Sequence, residues 1–273
     1  MPADILLQST VEGVTTLTMN NPRKLNGWTE AMLGALLAAL EKAGEDDATK
    51  ALILTGKGDY YCAGVNLSGA LQLDHPKKLR AMIIERNQKL FDTFLRFPKP
   101  ILIAVNGPAI GACVTSATLC DGIIASDRAT FSTPFAKLGV PPEGCSSEVF
   151  PKLLGRATAD RILGAEGWKP NAEQAREIGM VGWVVPHDQL IDEAQRIAKQ
   201  WVDEGRERSY PAGFTRAQLE AVNARESEIL ADAFLSPPFL MGQYRFLRSK
   251  NKLAPAAMFL ALRLTRPAWS LLL

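Results

Sequence analysis

Hydrophobic residues along the chain follow two different periods, which predict strands and helices in alternation. Apolar residues at helical spacing follow Thr29, a residue type that is favoured as an N-cap. A second helical pattern covers Lys77–Arg96 and is ended by Pro98 and Pro100. Short apolar runs between and around these helices predict strands at Ile5–Thr10, Val14–Met19, Ala51–Thr55, Ile101–Val105 and Gly122–Ser126. This alternation is typical of an α/β fold.

From about Asp188 onward the pattern predicts helices alone. One apolar stripe runs over Leu190–Trp201 with Asp188 as its expected cap, a second runs over Phe214–Leu235, and a third segment, Phe239–Lys250, follows two prolines. We therefore divide the chain into a core at residues 1–205 and a helical region at residues 206–273. These helices carry more apolar side chains than so small a segment buries alone, which favours packing on the core or on a neighbouring subunit.

The final stretch, Ala254–Leu273, is mostly apolar but contains Arg263 and Arg266. We expect a helix that docks on its own subunit or on a neighbouring one. Association with a membrane surface is the alternative, although two arginines make a weak polar face.

Composition narrows the class of protein. The chain has 273 residues and 29.7 kDa, and 31 Lys and Arg against 29 Asp and Glu give a net charge of +2. This balance argues against binding to nucleic acid or to anionic lipid. The first residues carry no basic segment, and no apolar run approaches the roughly 18 residues of a membrane span, so we expect neither a leader nor a transmembrane segment.

The supply of metal ligands is small. Four cysteines show no CxxC spacing, and His75 and His187 are the only histidines. We expect buried free thiols, no metal site and no Ser/His/Asp triad.

Three segments carry candidate chemistry. In the first, the strand at Ile53–Gly56 leads to the small-residue turn at Tyr60–Leu67, where a ligand can approach the backbone closely. An ordinary connection between strand and loop explains the same residues.

The second segment, Ile101–Cys113, runs from an apolar strand through a Gly/Pro turn into a helix expected over Gly111–Cys120. The free N–H groups at the start of that helix can hold an oxygen that becomes anionic during a reaction. Close packing of small residues is the alternative interpretation.

The third segment places Glu143 between Pro142 and Gly144, ahead of a helix expected to begin at Ser146 or Ser147. An acid held among apolar residues has a raised pKa and can take a proton at neutral pH. A first-turn acid stabilised by the helix dipole is the alternative. Glu148 is the competing acid, and we expect it on the solvated side of the helix.

Together these segments resemble the crotonase (enoyl-CoA hydratase/isomerase) superfamily over about residues 5–250. The chain is most similar to the peroxisomal Δ3,Δ2-enoyl-CoA isomerases. The motifs that carry the resemblance are Asn21–Asn26, Asp59–Cys62, Ala63–Leu67, Asn106–Gly111, Cys120-Asp121, Ser126–Phe131, Pro142–Ser147 and Val222–Ser227.

The resemblance implies a spiral of ββα units with a C-terminal helical region used in trimer assembly. It implies that the backbone N–H groups of Ala63 and Ala112 form an oxyanion hole for an acyl-CoA thioester, with Glu143 as the base. Further implied substrate contacts are Ala63, Gly64, Val65, Asn66, Leu67, Gly111 and Phe135. Arg23 and Lys24 are candidate contacts of CoA phosphates, and no cofactor is expected beyond the CoA of the substrate. Asn66 stands where many relatives carry Asp, and Asp121 is expected to secure the strand that follows it rather than to serve in catalysis.

Two positions favour an isomerase over a hydratase. Hydratases of this family use two glutamates to add water, and the corresponding positions here hold Thr115 and Phe135. Shifting a double bond from C3 to C2 needs one base and an oxyanion hole, which the chain retains. The expected function is therefore conversion of 3-enoyl-CoA esters to trans-2-enoyl-CoA in β-oxidation of unsaturated fatty acids. A non-catalytic acyl-CoA-binding protein and another crotonase-type reaction, such as hydration, are the alternatives.

Assembly and compartment follow only from the resemblance. It implies a homotrimer or hexamer located in the peroxisome. The chain ends in Leu271–Leu273, which is a poor match to a Ser-Lys-Leu signal, so a cytoplasmic location is the alternative.

Overall fold

The fold is a mixed α/β arrangement, seen in a computed structural model that describes residues 4–65 and 74–273. The strands in this part of the chain are Leu6–Val11 (β1), Val14–Met19 (β2), Ala51–Gly56 (β3), Ile101–Val105 (β4), Ala109–Ile110 (β5), Gly122–Ser126 (β6), Phe131–Ser132 (β7) and Trp183–Val185 (β8). The five predicted strands are confirmed, with ends that differ by one residue at most.

The helices lie between the strands and dominate the last third of the chain. They are Glu30–Glu45 (α1), Pro76–Arg96 (α2), Ala112–Ala117 (α3), Phe135–Leu138 (α4), Ser146–Leu154 (α5), Arg156–Leu163 (α6), Ala172–Glu177 (α7), Leu190–Asp203 (α8), Arg216–Phe234 (α9), Pro237–Ser249 (α10) and Leu253–Trp269 (α11). Within the described ranges, none of them is long and apolar enough to cross a bilayer.

Six strands form one sheet in the order β1-β2-β3-β4-β6-β8. Only β1 runs antiparallel to its neighbour, since a tight turn joins it to β2. The other pairs are parallel, with Leu54 opposite Ile103 and Ile103 opposite Ile123. A separate pair, β5 and β7, is also parallel and lies beside the candidate site.

Both faces of the sheet are covered, which explains why its central strands are apolar throughout. On one face, Leu52 and Leu54 of β3 pack with α1 and α2 in the main core. On the other, Ala51 and Ile53 pack under α8. The Thr29 side chain accepts the N–H of Met32 at 3.2 Å, so its predicted N-cap role is confirmed.

The C-terminal helices fold back onto their own chain. Helix α9 packs along α2, and α10 and α11 pack against each other. Ala256, Phe259 and Leu262 of α11 are buried in a second apolar cluster that also holds Phe135. The predicted final helix is present and packs on its own chain, whereas contact with a neighbouring subunit and the boundary at residue 205 stay predictions.

Two local predictions differ from the structure. The helix expected over Gly111–Cys120 ends at Ala117, because Leu119 and Cys120 make tighter i→i−3 bonds to Ser116 and Ala117. Asp188 does not cap α8, because it lies inside a short 3₁₀ turn that places Gln189 at the cap. The cysteines Cys62, Cys113, Cys120 and Cys145 are buried and free, as predicted.

Candidate functional site

The first two candidate segments run side by side. Cys62 pairs with Ala109 in a parallel bridge, and the Ile110 N–H donates to the Cys62 carbonyl oxygen at 3.0 Å. Gly64 allows the two segments to approach each other closely, because a Cβ at residue 64 would stand 2.6 Å from the Ile110 carbonyl oxygen. This pairing brings the turn after Cys62 to the start of α3, as expected for two halves of one site.

Ala112 is the first residue of α3, and its N–H has no acceptor within the helix. The hydrogen bonds formed among residues 4–65 and 74–273 leave this N–H unused, whereas Gly111 donates to the Ser132 carbonyl oxygen at 2.7 Å. The small residues at 111 and 112 therefore leave one donor facing the site.

The Ala63 N–H is not free in the same way. It donates to the Leu25 carbonyl oxygen at 3.0 Å. Leu25 and Asn26 both have positive φ (52° each), and this turn carries the Leu25 carbonyl to Ala63. The Ala112 N–H is thus available to a ligand within the described residues, while a role for Ala63 requires its bond to Leu25 to open, and the oxyanion hole stays a prediction.

The other predicted substrate contacts lie in different surroundings. Val65 is half-buried and bridges to Trp28. Phe135 is buried beneath the C-terminal helices beside Leu79 and Val140. Asn66 and Leu67 lie outside the described residues, so their roles stay predictions.

The candidate CoA contacts Arg23 and Lys24 are exposed. They lie in a 3₁₀ turn, Pro22–Lys24, directly before Leu25. The turn therefore stands next to the Ala63 segment, and a contact with CoA stays a prediction.

Glu143 is half-buried on the segment that leads into α5. Burial, and next the charge of Glu226, raise the pKa of Glu143 to about 8. No cation forms a salt bridge with Glu143 in the part of the chain that the structure describes. The following residue, Gly144, is buried against Phe91 of α2 and Thr115 of α3, which places the Glu143 segment beside α3.

The sequence analysis did not identify Glu226 as a candidate functional residue. It lies on α9, is 2% exposed, and accepts the N–H groups of Cys145 at 2.6 Å and Ser147 at 2.9 Å. Burial raises its pKa to about 7, although the hydrogen bonds from Ser147 and Cys145 oppose the rise. The motif Val222–Ser227 contributed to the family resemblance. Nothing in its own residues predicts the contact of Glu226 with Cys145, which lies 81 residues earlier in the chain.

The competing residues have other partners. Glu148 is exposed and pairs with Arg225 at 2.8 Å, so its predicted place on the solvated side is confirmed. The Thr115 hydroxyl donates to the Ala112 carbonyl oxygen at 3.2 Å. Asp121 accepts the N–H of Ile101 and pairs with Arg208, which confirms its structural role.

Comparison with known proteins defines the class. The family model described as enoyl-CoA hydratase/isomerase matches residues 9–249. The chain therefore belongs to the enoyl-CoA hydratase/isomerase family.

Two curated relatives are similar to this chain over much of its length. The chain is 35% identical over 269 residues to human enoyl-CoA delta isomerase 2, covering 92% of this chain and 65% of that protein. It is 38% identical over 184 residues to mouse enoyl-CoA delta isomerase 3, peroxisomal, covering 67% of this chain and 57% of that protein. The chain thus spans less than two thirds of the length of these curated relatives.

A solved structure shares the fold. The crystal structure of an enoyl-CoA hydratase/isomerase from Pseudoalteromonas atlantica superimposes with a TM-score of 0.77 at 28% identity. The match covers 90% of this chain and 98% of that one. It confirms the predicted crotonase-like fold with its C-terminal helical region.

Proposed function

We propose that the chain is an enoyl-CoA isomerase that moves the double bond of a 3-enoyl-CoA ester to position 2. Glu143 carries the proposal, since it is a half-buried acid with a raised pKa on a segment that packs against α3 through Gly144, and the hydrogen bonds among the described residues leave the Ala112 N–H at the start of α3 unused. The relatives named as enoyl-CoA delta isomerases support the same assignment.

The reaction needs a single proton carrier. The Glu143 carboxylate removes a proton from C2, and the electron pair spreads over the conjugated system to the thioester oxygen. The protonated Glu143 then returns that proton to C4, so that C3=C4 becomes C2=C3 and no water is consumed. A pKa of about 8 suits a group that must first accept and then release a proton.

The developing charge on the thioester oxygen needs a donor. The Ala112 N–H serves this role, and the Ala63 N–H joins it when the thioester oxygen displaces the Leu25 carbonyl. By analogy with measured oxyanion holes, each aligned donor lowers the barrier by about 3–4 kcal/mol.

Hydration is disfavoured by the residues present. Thr115 and Phe135 offer no carboxylate at the positions where hydratases of this family hold their glutamates, and both side chains are buried. Within this proposal, a water molecule entering the site would find no carboxylate at either of these two positions.

The direct test is an absorbance assay for the conjugated 2-enoyl thioester, with short and long 3-enoyl-CoA substrates in cis and trans forms. Glu143→Gln is expected to lower kcat by about 10²–10⁴-fold while acyl-CoA binding stays near that of the wild type. The matched control is Glu148→Gln, an exposed acid five residues on, which should keep full turnover. Unchanged turnover in Glu143→Gln overturns the assignment of the base.

One observation favours a second candidate, a non-catalytic acyl-CoA-binding protein. With the Ala63 N–H bonded to Leu25, the hole has one donor instead of two. Tight binding of acyl-CoA without turnover of any 3-enoyl or 2-enoyl ester would support this candidate over the isomerase.

Assembly and compartment belong to the same proposal. We infer a homotrimer or hexamer, testable by light scattering against multiples of the 29.7 kDa chain mass. The name of the mouse relative supports a peroxisomal location. Imaging of the full-length protein with a fluorescent tag at its N-terminus distinguishes this from the cytoplasm.

A further inference from the structure

Glu226 makes an unusual contact with the segment that bears Glu143. Its two carboxylate oxygens accept different N–H groups, Oε2 from Cys145 and Oε1 from Ser147. Cys145 has φ of 63°, a left-handed conformation that costs free energy for a residue other than glycine. The two hydrogen bonds therefore fix the strained step between Glu143 and the first turn of α5.

We propose that Glu226 is a positioning residue for Glu143, which holds the Glu143–Ser147 segment from behind and sets a second carboxyl next to the base. The inference rests on the proposed function, because it assigns Glu226 to the reaction that Glu143 performs. In this role Glu226 acts through Glu143 and does not touch the reacting atoms.

Glu226 accepts two N–H groups at once, which a carboxylate can do with both oxygens and a side-chain amide with only one. Glu226 is buried, and its neighbour on α9, Arg225, points away to the exposed Glu148 at 2.8 Å. Burying a carboxyl is costly, and no salt bridge to Glu226 offsets that cost within residues 4–65 and 74–273. The acid at this position therefore holds the Glu143 segment as a double acceptor and also brings a negative charge close to Glu143.

The charged groups around Glu226 are few. From the loop before α5 it faces Glu143, and from its own helix Arg225 stabilises its ionised form. From α2, Asp92 acts on the adjacent Cys145 and accepts a hydrogen bond from Asn223 at 2.8 Å. The negative charge of Glu226 favours the protonated form of Glu143, so it should help to keep the proton on Glu143 until C4 receives it.

Two substitutions separate position from charge. Glu226→Gln keeps the shape but removes the charge, and its NH₂ group would face one of the two N–H donors. Glu226→Asp keeps the charge and withdraws it by one methylene. The matched control is Glu228→Gln, an exposed glutamate two residues further along the same helix.

The readouts are the kcat and KM of a short 3-enoyl-CoA as a function of pH, and hydrogen–deuterium exchange of the peptide containing residues 143–147. We expect Glu226→Gln to lower the limiting kcat at high pH by about 10–100-fold, with KM within about threefold of the wild type. The acid limb of kcat/KM should move to lower pH by roughly one unit, because the charge that raises the pKa of Glu143 is gone. Both Glu226 variants should exchange faster at residues 143–147, and Glu228→Gln should match the wild type in every readout.

A Glu226→Gln enzyme with unchanged kcat and an unchanged acid limb overturns the proposal, as does a loss confined to KM. If Glu226→Gln does not fold, Glu226→Asp tests the proposal instead. The proposal then predicts a lower kcat and faster hydrogen–deuterium exchange at residues 143–147 in Glu226→Asp. If wild-type protein fails to convert any 3-enoyl-CoA, the proposed function itself is wrong. In that case, hydrogen–deuterium exchange at residues 143–147 still shows whether Glu226 anchors the segment.

Discussion

The backbone N–H of Ala63 donates to the carbonyl oxygen of Leu25 at 3.0 Å, so one of the two donors expected for a thioester oxygen already has an acceptor. Replacing one N–H···O=C bond by another changes the free energy little, which makes the exchange feasible when substrate enters. Leu25 and its neighbour Asn26 both have positive φ, and strain of this kind often accompanies functional backbone. The position of the Leu25 carbonyl therefore matters for the site.

Asn26 holds this turn and provides the first prediction. Its buried side chain accepts the Asn21 N–H at 2.9 Å and donates to the carbonyl oxygens of Lys57 at 3.0 Å and Tyr60 at 2.7 Å. Asn26→Ala leaves these groups unpaired and puts alanine at φ of 52°, so the free energy of unfolding should fall by about 2–4 kcal/mol. Urea denaturation measures the change.

The control for this prediction is Asn20→Ala. The Asn20 side chain makes one exposed hydrogen bond, to the Asp4 carbonyl oxygen at 2.7 Å, so its loss should cost less than about 1 kcal/mol. Equal costs for the two variants would show that the Asn26 bonds do not hold the turn.

The second prediction concerns the pH dependence of stability. The pKa of Glu143 rises from the usual 4.5 to about 8 in the folded protein. Between these values the folded state binds more protons than the unfolded state, so the contribution of Glu143 to stability is full below about pH 4.5 and is lost as pH rises through 8. Glu143→Gln removes the ionisable group and should therefore stabilise the protein at pH 9, by about 1–3 kcal/mol after allowance for partial exposure.

Thermal unfolding between pH 5 and 9 tests this prediction. The Tm of the wild type should decline more steeply with pH than that of Glu143→Gln between about pH 5 and 8, and the gap between the two curves should stay constant above that range. Parallel curves would mean that the Glu143 carboxyl is not held in a dehydrated environment. Glu143→Gln should also remove most of the turnover. A gain in stability in this variant would therefore show that Glu143 is needed for activity although it destabilises the fold.

Five of the eight strands in the described part of the chain were predictable, because each of these five carries its own signal. Ile101–Val105 is apolar at every position, as a strand buried on both faces must be, and the structure ends β4 at the same residues. The place of Glu143 ahead of a helix was also predictable, because an acid between Pro142 and Gly144 is a local pattern, whereas its role as a base stays a prediction. The start of α5 at Ser146 agrees with it.

Features that depend on distant contacts were not predictable in the same way. The bond from Ala63 to Leu25 requires left-handed backbone at two residues other than glycine, for which the sequence gives no clear rule. The contact between Glu226 and Cys145 joins residues 81 positions apart, and only the packing of α9 on α2 brings them together. The prediction that Asp188 caps α8 was wrong, because tertiary contacts favour a 3₁₀ turn at this residue over its local preference for an N-cap position.

The third prediction uses two glycines with nearly the same backbone conformation. Gly144 has φ of 65°, and a Cβ there would stand 2.4 Å from a ring carbon of Phe91 and 2.6 Å from the Thr115 hydroxyl oxygen. Gly139 has φ of 66°, and nothing lies within 4 Å of its Cβ position. Alanine in the left-handed conformation destabilises the protein by about 1–2 kcal/mol at either site. Only Gly144→Ala adds a steric clash, with Phe91 and Thr115.

We therefore expect Gly144→Ala to lose about 1–3 kcal/mol more stability than Gly139→Ala. It should also lose most of its turnover, because the displaced segment carries Glu143. Denaturant unfolding and the 3-enoyl-CoA assay measure the two effects. Similar values for both variants would mean that the Glu143 segment shifts to accept the extra methyl group without loss.

The fourth prediction concerns the buried ion pair between Asp121 and Arg208. Their side chains are 0% and 6% exposed, and Arg208 Nη1 lies 2.7 Å from Asp121 Oδ2. Arg208 also donates to the Leu119 carbonyl oxygen at 2.8 Å, which ties the segment before α9 to the end of the α3 turn. Asp121→Asn leaves the guanidinium buried beside a neutral group, so unfolding should become easier by about 3–5 kcal/mol.

The exposed pair of Glu148 and Arg225 supplies the comparison, because its N–O distance of 2.8 Å is almost the same while its side chains are 50% and 56% exposed. Glu148→Gln should cost less than about 1 kcal/mol, since solvent screens that pair. Below its Tm, Asp121→Asn should keep the kcat and KM of the wild type for 3-enoyl-CoA, because Asp121 bonds to Ile101, Arg208 and Ser209 rather than facing the site. A loss of kcat in well-folded Asp121→Asn would instead mean that this ion pair controls the geometry of α3 and, through it, the N–H of Ala112.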